Sequence, residues 1–96
     1  MEWKLYTAKP IKVTTSGAVK KADHINGFTA VNKGGQLAYI NGFPIDPPTA
    51  LTSGEAIEFN GNENELYDDM INVQFAGAGT NPLVYITQKV YKNICP

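Results

Sequence analysis

The densest run of groups able to do chemistry is Asn60-Gly-Asn-Glu-Asn-Glu-Leu-Tyr-Asp-Asp69. Asn60, Asn62 and Asn64 alternate there with Glu63 and Glu65, and Asp68 and Asp69 follow. Calcium takes roughly six to eight oxygen ligands, which carboxylates and side-chain amides can supply. The EF-hand spacing is missing, because no Asp opens a loop with Gly at its sixth position and Glu at its twelfth. Asparagine also suits turns for a backbone reason: it hydrogen-bonds its own main chain and tolerates positive φ. The run therefore reads first as a solvated loop tip and second as a weak calcium candidate.

Catalytic arrangements are harder to assemble. His24, the one histidine, stands beside Asp23, which can orient an imidazole, but no second His or Cys lies at ligand spacing. Ser53-Gly54 lacks the flanks of a nucleophile elbow, and Ser16-Gly17 reads as a turn. Cys95 has no base near it in sequence. No Gly-rich loop opens a helix to cradle phosphate, and no carboxylate pair has the look of an acid–base couple. The expectation is a protein that is not an enzyme and needs no cofactor.

The aromatic residues are the remaining functional candidates. Trp3, Tyr67, Tyr85 and Tyr91 are the interface candidates, since aromatics bury large area at small entropic cost. The competing reading is ordinary core and cross-strand pairing. Tyr85 and Tyr91 share one face of the last apolar run, which favours an outer or intersubunit position.

The composition narrows the partners. Ninety-six residues suffice for one core, expected here as a single domain with a core over about 11–91 and a flexible C-terminal tail over 92–96. Every basic residue is Lys, and the formal net charge is −1. Arg, the preferred residue for bidentate phosphate and guanine contacts, is absent, so nucleic acid is not an expected partner. No apolar run approaches the ~20 residues of a membrane helix, so no membrane is expected either. One cysteine allows no internal disulfide, in keeping with synthesis in a reducing cytoplasm. Only 18% of residues are charged, which leaves a surface prone to association.

The elements that must position these groups are short strands. Ile11/Val13, Phe28-Thr-Ala-Val-Asn32, Gln36–Asn41 and Leu83–Tyr91 carry β-branched and aromatic residues. Ile57 with Phe59, and Ile71 with Val73 and Phe75, alternate as two half-buried strands, taken together as a hairpin around the acidic loop. Gly34-Gly35 signals a second hairpin, and Asn41-Gly42 a tight turn. Pro44, Pro47 and Pro48 place their segment on a sheet edge or between sheets, with Phe43, Ile45 and Leu51 tucked inward. Ala18–His24 is the one window able to hold a helical turn. The pattern predicts an all-β fold, a small β-sandwich or jelly-roll-like barrel of six to seven short strands.

In order, Asn26-Gly-Phe-Thr-Ala-Val-Asn32, Asn41-Gly-Phe-Pro-Ile-Asp-Pro-Pro48, Ser53–Asn62, Ile71–Phe75 and Val84–Tyr91 resemble small structural proteins of bacteriophage virions. The resemblance spans about residues 25 to 92 and rests on strand and turn residues. It implies a non-enzymatic building block, such as an auxiliary capsid, vertex or fibre-associated subunit. Such a subunit is made in the host cytoplasm, forms a homo-oligomer, and joins other virion proteins in the virion. The alternative expectation is a carbohydrate- or calcium-dependent binding module.

Overall fold

The computed structural model describes residues 3–49, 54–62, 65–77 and 81–93. Leu51, Ser53, Glu63, Asn64 and Cys95, each given a part by the sequence, lie outside them. Nine strands run through the described residues: β1 (Trp3–Thr7), β2 (Ile11–Val13), β3 (Gly17–Val19), β4 (Ile25–Asn32), β5 (Ala38–Ile40), β6 (Phe43–Ile45), β7 (Ala56–Asn60), β8 (Ile71–Phe75) and β9 (Val84–Asn93). The count exceeds six to seven because β1 and β3 join the runs read as strands from the sequence; β3 has three residues, too few for alternation to register.

Two antiparallel sheets form. One runs β1–β9–β4–β7, with β2 continuing the β1 edge of β9; the other runs β3–β8–β5–β6. The pairs β2–β9, β3–β8, β4–β7 and β5–β6 follow one rule, in which the chain doubles back from the β5–β6 turn. Wrapping that doubled ribbon adds β4–β9 and β5–β8. This is the arrangement of a jelly roll, the sandwich form the sequence predicted. The core lies between the sheets: Phe28, Ala30 and Ile86 from one meet Ile40, Ile71 and Val73 from the other.

The β5–β6 turn has a direct sequence cause. Asn41 at φ 50° and Gly42 at φ 90° join Ile40 and Phe43 in a two-residue loop, the left-handed geometry that Asn-Gly favours. Pro44 sits in β6, an edge strand, where its missing N–H costs no ladder bond.

Several local expectations are corrected. β7 and β8 are not a hairpin, since β7 pairs with β4 in one sheet and β8 with β3 and β5 in the other. The connection between them is long enough to cross the ~10 Å between packed sheets. Gly34-Gly35 likewise carries the chain from one sheet to the other instead of closing a hairpin. Ala18–His24 holds no helical turn; its start belongs to β3. Phe43 does not tuck inward but is 54% exposed, whereas Ile45 is buried. Lys92 and Asn93, expected in a flexible tail, instead pair with Lys4 and Trp3, and the rest of that expected tail, 94–96, lies outside the described residues.

Asn26-Gly27 lies inside β4, at an irregularity in its pairing with β9. A Cβ on Gly27 would run into the Phe59 carbonyl of β7. Glycine here lets two backbones approach.

Candidate functional site

Residues 61–62 and 65–70 lie across one end of the sandwich, where side-chain amides of β4 and of the β5–β6 turn fix them. Asn26, buried in β4, donates from Nδ2 to the carbonyls of Asn62 (3.0 Å) and Glu65 (3.0 Å). Its own carbonyl accepts from Gly61 N–H (3.1 Å), and the Ile25 carbonyl accepts from Tyr67 N–H (2.7 Å). Asn41, at the β5–β6 turn, donates from Nδ2 to the Met70 carbonyl (2.9 Å) and the Tyr67 hydroxyl (2.7 Å). Its Oδ1 accepts from Asn72 N–H (2.7 Å). Lys21 completes the attachment, its Nζ donating to the carbonyls of Asp69 (3.0 Å) and Tyr67 (3.3 Å). Sequence reading missed these roles because Asn26 and Asn41 both precede Gly, and Asn-Gly signals a turn before it signals an anchor.

Tyr67 is the pivot of this end. Its ring meets Phe28 edge-on at 5.4 Å and Phe59 at 6.4 Å, while Phe28 and Phe59 stack at 4.9 Å. Its hydroxyl donates to the Met70 carbonyl (2.7 Å). Desolvation, reinforced by the Asp69 carboxylate, pushes the phenol above its usual pKa, against a smaller opposing effect of the Asn41 bond. The interface candidate Tyr67 is thus half-buried and turned onto the core.

The calcium candidates divide. Asn60, Glu65, Asp68 and Asp69 line one open depression of about 520 Å³ together with Phe59 and Tyr67. Three of them each commit one polar atom within the chain. Glu65 Oε1 accepts from Asn62 N–H (3.0 Å), Asp69 Oδ1 from Met70 N–H (2.8 Å), and Asn60 Nδ2 donates to Glu58 (2.7 Å). The Asn62 and Glu65 carbonyls already accept from Asn26. Among the described residues no three His, Cys, Asp or Glu side chains converge as a metal site.

Trp3, His24, Leu66 and Tyr91 line a shallow cleft of about 210 Å³ at the same end of the larger sheet. Trp3 and His24 approach with ring centroids 5.1 Å apart, tilted by 48°. Trp3 is 47% and Leu66 56% exposed, so a distinct apolar patch faces outward. The cleft is smaller than the ~300 Å³ at which small-molecule sites begin. Asp23 and His24 occupy the turn before β4, where His24 takes φ 58° and its carbonyl accepts from Tyr91 N–H (2.9 Å). Tyr85 and Tyr91 are half-buried and alternate along β9 with Val84, Ile86 and Gln88, which face the core.

What this geometry builds is a cap whose amides and phenol are committed to internal bonds, and among its described residues no nucleophile–base pair forms. No protein family, curated protein or solved structure matches the chain.

Proposed function

We propose that this chain is a non-enzymatic structural protein of a phage virion, an auxiliary capsid, vertex or fibre-associated subunit that self-assembles and docks on a capsid or tail. The observation that supports the reading is the jelly-roll pairing, a sandwich form used by viral capsid domains, with both sheets ending in edge strands among the described residues. The low-charge surface agrees with it, because such faces are suited to cover by neighbouring subunits. The fold alone does not carry a function, so the proposal rests on the edges and surface as much as on topology. Its partners are further copies and other virion proteins, and its place is the virion.

Mass spectrometry of purified virions tests this directly. A fixed, high copy number of the chain per particle is expected. Absence from the particle, together with failure of the purified protein to co-sediment with capsids or tails, overturns it.

A second reading has one observation in its favour. Jelly rolls also serve lectin domains, and the depression beside Tyr67 joins aromatic faces to carboxylates. A carbohydrate- or calcium-dependent binding module predicts a rise in melting temperature with Ca²⁺ or with a member of a glycan panel. No shift with any of them removes this reading.

A further inference from the structure

The two edges of the larger sheet differ in charge and match in geometry. Residues 3–13, which form the β1/β2 edge, hold Lys4, Lys9 and Lys12 and no carboxylate. Residues 54–62, which contain β7, hold Glu55 and Glu58 and no lysine. The carboxylate side gains further charge from Asp46, whose N–H donates to Glu55 Oε1 at 2.7 Å.

Ladder parity shows which backbone groups face outward. Tyr91 N–H donates to the His24 carbonyl, so odd-numbered β9 residues bond towards β4 and even-numbered ones towards β1 and β2. Ile11 and Val13, opposite Ile86 and Val84, are therefore the β2 residues that bond β9, and Lys12 turns its N–H and C=O outward. Ala8 N–H donates to the Gln88 carbonyl, so by the same alternation Thr7 faces outward in β1. On the far edge, Asn32 N–H donates to the Glu55 carbonyl and Gly61 N–H to the Asn26 carbonyl. Ile57 and Phe59 thus bond β4, and Ala56, Glu58 and Asn60 turn outward.

The registers line these groups up. Lys12, Tyr85, Val31 and Ala56 form one row across the sheet, and Thr7, Lys89, Gly27 and Asn60 form another. Three successive antiparallel pairings make β7 run opposite to β1 and β2. A copy moved straight across the sheet would therefore set its β1/β2 edge antiparallel to β7. Lys12 would then lie opposite Ala56 and Thr7 opposite Asn60, each pair outward-facing on both sides. Glu58 would fall between Lys9 and Lys12, within the diagonal reach of ~7–8 Å between neighbouring strands.

We propose that a second copy of this chain docks head to tail, its β1/β2 edge adding to the β7 edge as a continuous antiparallel sheet. The charges select this arrangement over twofold ones. Pairing β1/β2 with itself sets lysines against lysines, and pairing β7 with itself sets glutamates against glutamates. A heterologous contact of this kind closes into a ring or extends as a filament. The inference rests on the self-assembly part of the function proposed above, not on the identity of the particle.

The test is sedimentation of the purified full chain with variants Lys12→Glu and Glu58→Lys, singly, mixed and combined. Each single variant should weaken association by about tenfold, since a favourable exposed pair becomes a repulsive one. The double variant should recover it, and so should an equimolar mixture of the two single variants, because alternating copies restore an opposite-charge pair at every contact. Ala56→Pro removes one outward donor while keeping every charge and every β4 bond, and should also block growth. Circular dichroism melts verify that each variant is folded. Association unchanged by all four variants overturns the edge contact while leaving self-assembly standing. A wild-type chain that stays monomeric at all concentrations overturns the inference, and the virion copy number then decides the function separately.

Discussion

Asn32 offers the sharpest test of how this sandwich is held together. The residue ends β4, is 0% exposed, and reaches three segments of the chain. Its Nδ2 donates to the carbonyls of Gln36 (2.7 Å) and Ile45 (2.9 Å), and its Oδ1 accepts from Gly34 N–H (3.1 Å). One amide thus ties the crossing between the sheets to β6. Asn32→Leu keeps the branching at Cγ and the number of heavy atoms, though with greater bulk, and leaves two carbonyls and one N–H without this partner. At ~1–3 kcal/mol for each orphaned buried group, the expected loss is about 4 kcal/mol. That is a large part of the ~5–15 kcal/mol typical of a domain, and in a chain of this size it lowers Tm by about 15 °C or more.

Asn32→Asp separates hydrogen bonding from shape. The carboxylate keeps an acceptor for Gly34 but offers no donor when ionised, and it places charge beside two carbonyl oxygens. Burial raises the folded-state pKa of such a group above its unfolded value of about 3.9. The protonated acid is then the form that folding favours, so the variant is best tolerated below that unfolded value. Its deficit deepens as pH rises through the folded pKa. Urea melts followed by circular dichroism at acid and neutral pH measure both effects. A loss under about 1 kcal/mol for Asn32→Leu, with an unchanged denaturant slope, would mean the amide contributes no more than an average exposed bond, and the reasoning would fail.

Three further outcomes follow from particular contacts. Gly27→Ala forces β7 away from β4 and should cost about 3 kcal/mol, read as a lowered melting midpoint or loss of soluble protein. A hydrogen bond and repulsion from Glu55 raise the Asp46 pKa above its usual 3.8, so this contact favours the fold at acid pH and weakens as pH rises through the raised value. NMR titration should find that elevation and find it removed in Glu55→Gln; an unchanged Asp46 titration in that variant refutes the cause. Tyr67 should ionise above the usual 10.0, with its contribution to stability present below that value and lost as pH climbs through the raised one. Ultraviolet titration of the wild type against Tyr67→Phe isolates the transition, and an ordinary phenol in that difference spectrum would contradict the packing.

Much of the strand content was legible because it depends on near neighbours. Alternating Ile71, Val73 and Phe75 needed only the two-residue period of a strand, and Ile71 and Val73 are buried as that period requires. Asn41-Gly42 determined a tight turn because only left-handed residues fit it, and β5 and β6 do meet there. The prolines, for want of a backbone donor, put their segment on an edge or between sheets, and β6 is an edge. Gln88 was not legible: it sits among core-facing positions of β9 and is buried. There its Oε1 accepts from Ala22 N–H and its Nε2 donates to the Lys20 carbonyl. Nothing in the period distinguishes a polar residue with buried partners from one facing water.

The acidic run from Asn60 to Asp69 carries the same lesson further. By itself the sequence determined that it is polar, turn-rich and flanked by two strands. The tertiary structure alone decided that those strands belong to opposite sheets, and that Asn26 and Asn41 hold the run between them. The physical reason is range. Alternation and turn geometry are set within a few residues, whereas a strand's partner is chosen by the burial and backbone bonding of the whole wrapped ribbon. The difference between the lysine edge and the glutamate edge is visible in the sequence as composition. That both edges belong to one sheet, facing opposite ways, exists only after folding.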